Sequence, residues 1–159
     1  MTWQLRRATA DDLEAIVPIE NATFPADAWT REAIHAELVN PHTYYVVAFP
    51  VGAPDEVEGY AGLLAPTRSE QGDIQTIAVV EGARSGGLGR TLMGALISEA
   101  RSRGLRELFL EVRVDNPVAE HLYETLGFER IAIRTGYYRD GVDGVTMRLT
   151  LPAPTVSLA

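Results

Sequence analysis

The sequence predicts a single α/β domain, a seven-stranded mixed sheet flanked by about four helices. Three observations predict it. The chain has 159 residues, 46% of them hydrophobic, enough for one compact core and short for two ordinary domains. Segments of strand character and of helical period follow one another in the order β-α-α-β-β-β-α-β-α-β-β. In the middle of the chain a glycine-rich loop joins an apolar strand to a long helix, as in a βα unit.

Each element has its own signal. Trp3 to Arg7 alternates as a short strand. Thr9 offers an N-cap, with Asp12 three residues on, to an amphipathic helix through Leu13, Ile16, Val17 and Glu20, which Pro18 is expected to kink or shorten. Trp29 and Thr30 introduce a second helix with Ile34, His35 and Leu38 on one face, stopped by Asn40-Pro41. Tyr44 to Phe49 and Gly59 to Ala65, rich in β-branched and aromatic residues and separated by the turn segment Pro50 to Glu58, form a hairpin. Ile74 to Val80 is the next strand, followed by a helix from about Leu88 to Arg103 and a strand over Arg106 to Val114. Asn116 caps a helix with Pro117 at its first position; it runs to Leu126, and Gly127 ends it. Phe128 to Arg134 and Val145 to Leu151 close the sheet, with parallel pairing expected only around the two central helices. The domain is read as residues 1–151, and 152–159 as a frayed tail.

Composition removes several function classes. Twenty-two acidic residues face 14 basic ones, all arginine, and the net charge of -8 opposes whole-molecule attraction to nucleic acid or to an anionic membrane. Without lysine there is no Schiff base and no phosphate-loop lysine, and without cysteine no disulfide, thiolate metal site or acyl-cysteine intermediate. His35, His42 and His121 have no metal-ligand spacing, so no metal is expected. No run approaches ~20 apolar residues and the first residues lack a signal-peptide core, which predicts a cytoplasmic protein. Residues 1–80 hold 4 Arg against 12 acids, whereas 81–159 hold 10 of each. The acidic half is either a solvated face or a surface that meets a cationic substrate.

The loop Arg84-Ser85-Gly86-Gly87-Leu88-Gly89-Arg90 hands a strand over to a helix, so free backbone N–H groups and the helix dipole converge on one point. An anion belongs there. Glycines let the backbone approach a pyrophosphate, and Arg84 and Arg90 can add charge-assisted hydrogen bonds. Neither nucleotide fingerprint fits: the lysine of the phosphate loop is missing, and Leu92 stands where the dinucleotide pattern needs glycine.

Other polar residues allow two readings from local chemistry. Glu111 stands in the apolar run Leu108-Phe109-Leu110-Glu111-Val112, where a carboxylate must be paired, with Arg113 or another arginine, or functional. Tyr123 can seat its helix on the sheet or offer its hydroxyl. His121 is two residues away, about 200° around a helix, and falls on another face. Tyr137-Tyr138 pack a strand end or line a groove.

The pattern R-x-x-G-x-G after Ile77-Ala78-Val79 resembles the acetyl-CoA signature of the GNAT N-acetyltransferases. The stretches Leu110 to Arg113, Asn116, Leu122 to Phe128 and Gly136-Tyr137-Tyr138, together with Glu20, Phe24 and Trp29, resemble the RimI-type ribosomal-protein-alanine N-acetyltransferases within it. The similarity covers roughly residues 5 to 150 and leaves out 50–58, 66–72 and the tail. It implies the GNAT fold and acetyl-CoA as co-substrate. The pantetheine arm would lie beside Ile77, Ala78 and Val79 and be bonded by Asn116, and the pyrophosphate would rest on the N–H groups from Ser85 through Gly86, Gly87, Leu88 and Gly89 to Arg90, with Arg84 beside it. It also implies Glu111 as general base, directly or through water, and Tyr123 as general acid in a direct transfer. Tyr137 and Tyr138 would line the acceptor groove, and Trp29 and Phe24 either help wall it or anchor their helices. The acceptor would be the N-terminal alanine amine of a basic small-subunit ribosomal protein, with a small-molecule amine or a non-catalytic CoA-binding module as the alternatives.

Overall fold

The computed structural model describes residues 2–153. The elements run β1 (Trp3–Arg7), α1 (Leu13–Thr23), α2 (Arg31–Val39), β2 (Thr43–Pro50), β3 (Gly59–Leu64), β4 (Gln71–Val79), α3 (Leu88–Ser102), β5 (Glu107–Arg113), α4 (Pro117–Thr125), β6 (Glu129–Arg134) and β7 (Gly144–Thr150). One seven-stranded sheet has the order β1-β2-β3-β4-β5-β7-β6. The order of elements along the chain is the one the sequence predicts.

Local signals work as expected at several ends. Thr9 and Asp12 form a capping box that opens a 3-10 turn leading into α1. Thr30 accepts the N–H of Ala33 at the start of α2, and Asn116 that of Ala119 at the start of α4. Gly127, with φ +103°, lets the chain leave α4 for β6.

Three expectations need correction. Pro18 does not shorten α1, which continues to Thr23. Pro18 and Glu14 are both exposed, so the carbonyl that loses its N–H partner faces water, while buried Ile16 and Ile19 hold the helix on the sheet. β4 begins at Gln71, three residues earlier than the apolar run, because Gln71, Gly72 and Asp73 pair with Glu107, Leu108 and Phe109. Parallel pairing occurs around α3 alone, since β7 inserts between β5 and β6 and pairs antiparallel with both. The expected tail from residue 154 onward lies outside the described residues.

Helices cover both faces of the sheet. On one, Leu88, Leu92, Met93 and Leu96 of α3 and Tyr123 of α4 pack on Val46, Ala61, Leu63, Leu108 and Leu110. On the other, Leu13, Ile16 and Ile19 of α1 and Ile34 of α2 pack on Tyr45, Val47, Tyr60 and Ala78. Burying each such leucine or isoleucine stabilises the fold by roughly 1.5–3 kcal/mol. The two cores clamp β4, and this fixes the strand whose far half opens into the site. Among the described residues no helix is long and apolar enough to cross a membrane.

Candidate active site

β4 and β5 pair only over Gln71–Asp73 and Glu107–Phe109. Beyond that point they part, and a cavity of about 250 Å³ opens between them. Ile74, Gln75, Thr76 and Ile77 of β4, Leu110 to Arg113 of β5, and Asn116, Ala119 and Tyr123 line it; Glu20, Phe24, Asp27 and Trp29 close it from the α1 side. The N–H of Val80 bonds the Glu58 carbonyl on the β3 side, so strand alternation turns the backbone of Val79 and Ile77 towards the gap. There the Val79 carbonyl accepts from Arg84 Nε at 3.1 Å. Ala78 lines neither cavity; its side chain is buried in the core under α1.

At the end of β4 the chain turns into α3. Ser85 and Gly87 take left-handed φ values of +71° and +87°, turns of the kind that gather successive N–H groups into an anion-binding hollow. Gly86 passes so close to Trp3 that a Cβ would stand 2.7 Å from its ring, and Gly89 leaves 3.3 Å to Leu122. Leu88 buries its side chain in the core, which anchors the loop and leaves only its backbone to a ligand. α3 begins without a side-chain cap or an acidic residue in its first turn, so its first N–H groups are free for an anion. Arg90 is turned to Thr125 of α4 at 2.6 Å.

Glu111 is half-buried on β5. It does not pair with Arg113; its partner is Arg134 of β6, at 3.5 Å, on a side chain that is largely exposed. Glu111 also lines a second, outer cavity with Asp27, Trp29, Leu64, Asp73, Gln75, Tyr137, Tyr138 and Arg139. The two cavities share Glu111, Asp27, Trp29, Ile74, Gln75 and Tyr138. Tyr137 and Tyr138 meet edge to face, centroids 5.0 Å apart, and burial raises both hydroxyls above the ordinary phenol range. Burial likewise pushes the Asp73 carboxyl up. Tyr123 is buried, packs edge-on against Phe128, and has its phenol pushed up to about 12 by desolvation. Its hydroxyl makes no hydrogen bond among the described residues, although the side chain lines the inner cavity. The arrangement offers a neutral donor on α4 and a carboxylate on β5, both lining the same gap.

Residues 13–128 match the profile of the acetyltransferase (GNAT) family. The chain belongs to that family. It is similar to a Mycobacterium tuberculosis protein named N-alpha-acetyltransferase RimI, 37% identical over 144 residues that cover 88% of this chain and 87% of that one. It is also similar to an N-alpha-acetyltransferase of Saccharolobus solfataricus, 31% identical over 157 residues and 91% of each chain. A Mycobacterium leprae relative, 38% identical over 144 residues, is longer, and the chain spans 38% of it. The crystal structure of the ribosomal-protein-S18-alanine N-acetyltransferase from Escherichia coli matches with a TM-score of 0.83, 27% identity and 99% coverage of both chains. As a GNAT N-acetyltransferase the chain is an enzyme that moves acetyl from acetyl-CoA to an amine.

Several residues that line the inner cavity received no site role from the sequence reading. Glu20 is almost fully buried: Oε2 accepts the N–H of Trp29 at 3.0 Å, and Oε1 accepts from the hydroxyls of Thr76, at 3.2 Å, and Tyr60. A carboxylate inside the apolar stripe of a helix was the available signal. Asp27 and Gln75 had none, since only the fold brings them to the cavity; Arg113 stood in the stretch that carries the resemblance but was weighed only as a partner of Glu111.

Proposed function

We propose that this chain acetylates the N-terminal alanine amine of a small-subunit ribosomal protein, by direct attack in a ternary complex with acetyl-CoA. One observation carries the reading: Glu111 borders both cavities, so one carboxylate is reached from the parted strands on one side and from the acidic, aromatic-walled cleft on the other. Direct transfer needs two substrates to meet at one point. Acetyl-CoA fits the inner side on three features of this structure: the open backbone edge of β4, the uncapped start of α3, and the left-handed turns at Ser85 and Gly87. The backbone of Ile77 and Val79 flanks the pantetheine arm, Asn116 bonds it, and the N–H groups of Ser85 to Arg90 with Arg84 hold the pyrophosphate, while Ala78 faces the core and seats the strand. When bound, acetyl-CoA supplies the acetyl thioester.

The acceptor reacts as the free α-amine, its first proton lost to solvent, and Glu111 takes the second, directly or through water, as the nitrogen attacks. The C–N bond forms as the C–S bond breaks, and Tyr123 protonates the departing sulfur. Of the two protons the ammonium loses, one is balanced by the new thiol and one goes to solvent. Trp29, Tyr137 and Tyr138 wall the acceptor, and Asp73 and Glu111, in a cleft that Arg139 also borders, present carboxylates to a basic chain. The acidic bias of the N-terminal half is divided. Asp73 faces this cleft, whereas Asp12, Glu14 and Asp27 are spent on Arg6, Arg31 and Arg113.

The test is mass spectrometry after incubation with acetyl-CoA. A peptide beginning Ala-Arg-Tyr is expected to gain one acetyl group on its α-amine, and a blocked peptide with an internal lysine none. Transfer to neither, with acetyl-CoA still bound, would point to a small-molecule amine or to a module without catalysis. For the phosphate loop, Arg84→Ala is expected to raise KM for acetyl-CoA by about tenfold, the loss of one charge-assisted hydrogen bond, and to change kcat less. Steady-state thiol release measures both. An unchanged KM would place the pyrophosphate elsewhere.

A further inference from the structure

The outer cavity has two walls that belong to no strand or helix. Residues 24–30, between α1 and α2, bring Asp27 and Trp29; residues 135–143, between β6 and β7, bring Tyr137, Tyr138 and Arg139. Arg113, at the end of β5, reaches both. Its Nη1 donates to Asp27 Oδ2 at 2.7 Å, its Nη2 to Asp140 Oδ2 at 2.7 Å and its Nε to Asp115 Oδ1 at 3.0 Å. The guanidinium also lies over the Tyr138 ring, 5.1 Å from its centroid. The other oxygen of Asp27 accepts the backbone N–H of Arg139 at 3.1 Å, so the two walls also meet directly. With 21% and 16% of their side chains exposed, Arg113 and Asp27 are less screened than a surface pair.

None of these carboxylates belongs to either hydrophobic core. The ion pairs therefore hold the walls and leave the sheet to its own packing. A planar fork holds its donors to three carboxylates in fixed directions, whereas the compact ammonium of a lysine, on a flexible stem, does not impose those directions. We propose that Arg113 is a positioning residue that locks the two walls of the outer cavity at a fixed spacing before an acceptor arrives. The proposal rests on reading that cavity as the acceptor groove. Without the lock, ordering the two segments becomes part of the cost of binding the acceptor and not of binding acetyl-CoA.

Two readouts test it. In Arg113→Gln, KM for the α-amine peptide is expected to rise about tenfold or more, with KM for acetyl-CoA within about twofold of its original value. Arg113→Lys keeps the charge and is expected to recover only a small part of the loss. The second readout needs no acceptor. The chain has two tryptophans, Trp3 and Trp29, so in a Trp3→Phe background the fluorescence reports on the 24–30 wall alone. There Arg113→Gln is expected to increase acrylamide quenching of Trp29 by about twofold, since the loosened segment admits the quencher more often. If Arg113→Gln does not fold, Asp140→Asn, which removes the ion pair from Arg113 to the 135–143 wall and spares the Asp27 contacts, is expected to show the same KM split at smaller size. Parallel rises in both KM values, or unchanged quenching in a folded variant, overturn the proposal. If the original protein acetylates no α-amine peptide, the acceptor reading fails instead, and the quenching still decides whether Arg113 locks the walls.

Discussion

Glu111→Gln is expected to lower kcat by about 10²- to 10⁴-fold, the usual contribution of a positioned general base, with little change in CoA affinity. Three carboxylates border the inner cavity, and their partners separate them. Glu20 has both oxygens engaged, by the Trp29 N–H on one side and by Tyr60 and Thr76 on the other, and it is almost fully buried. Asp27 is held by Arg113 at 2.7 Å and by the Arg139 N–H at 3.1 Å. Among the described residues Glu111 meets only Arg134, at 3.5 Å, and that arginine is more than half exposed. An exposed partner at that distance is held weakly and leaves carboxylate lone pairs free for a proton. Glutamine keeps the shape and removes the basicity, so the loss should appear in turnover. Thiol release gives the rate and calorimetry with CoA the affinity. A variant that keeps its rate within about threefold from pH 6 to 10 would remove Glu111 from the chemistry, since a base worth so little lies below the range of general-base catalysis.

How much of this could be read from the sequence depends on the range over which each feature is decided. Thr30, Asn116-Pro117 and Gly127 act within a few residues, and each marks its helix end where the structure has it, while Thr9 caps the 3-10 turn that leads into α1. The start of β4 does not: Gln71-Gly72-Asp73 has no strand character of its own and becomes strand because β5 lies alongside. The same three residues determine where the parallel pairing stops and the cavity begins. The insertion of β7 between β5 and β6 is a choice among sheet orders that local periodicity does not encode. At the site, the glycine loop, Glu111, Tyr123 and the tyrosine pair were legible through local pattern and resemblance, and the fold sets Glu111, Tyr123 and Tyr138 around one cavity. The bond between Asp27 and Arg113 joins residues 86 positions apart, and neither has a local pattern that names the other.

Tyr123→Phe is expected to lower kcat by about 10²-fold, at the low end of general-acid effects, while Tm stays close to that of the original protein. The ring is retained, so the edge-on contact with Phe128 at 6.1 Å and the burial of α4 against the sheet persist. What disappears is one O–H in a cavity where no described residue offers it a partner. The pH dependence distinguishes this donor from others. Desolvation penalises the phenolate and pushes the Tyr123 hydroxyl up to about 12, so it stays protonated across the working range. The acceptor α-amine loses its proton near pH 7.7–8.0, about the value of a free α-amino group. For the original enzyme, kcat/KM for the peptide should therefore rise through about pH 8 and then stay level to about pH 10, with no descending limb from the acid. The Phe variant should trace the same rise at a uniformly lower level, because the titrating group belongs to the acceptor and the missing proton was never lost in that range. A descending limb in the original enzyme between pH 8 and 10 that is absent from Tyr123→Phe would mean a phenol with an ordinary pKa, in a cavity that water reaches more freely than its burial indicates.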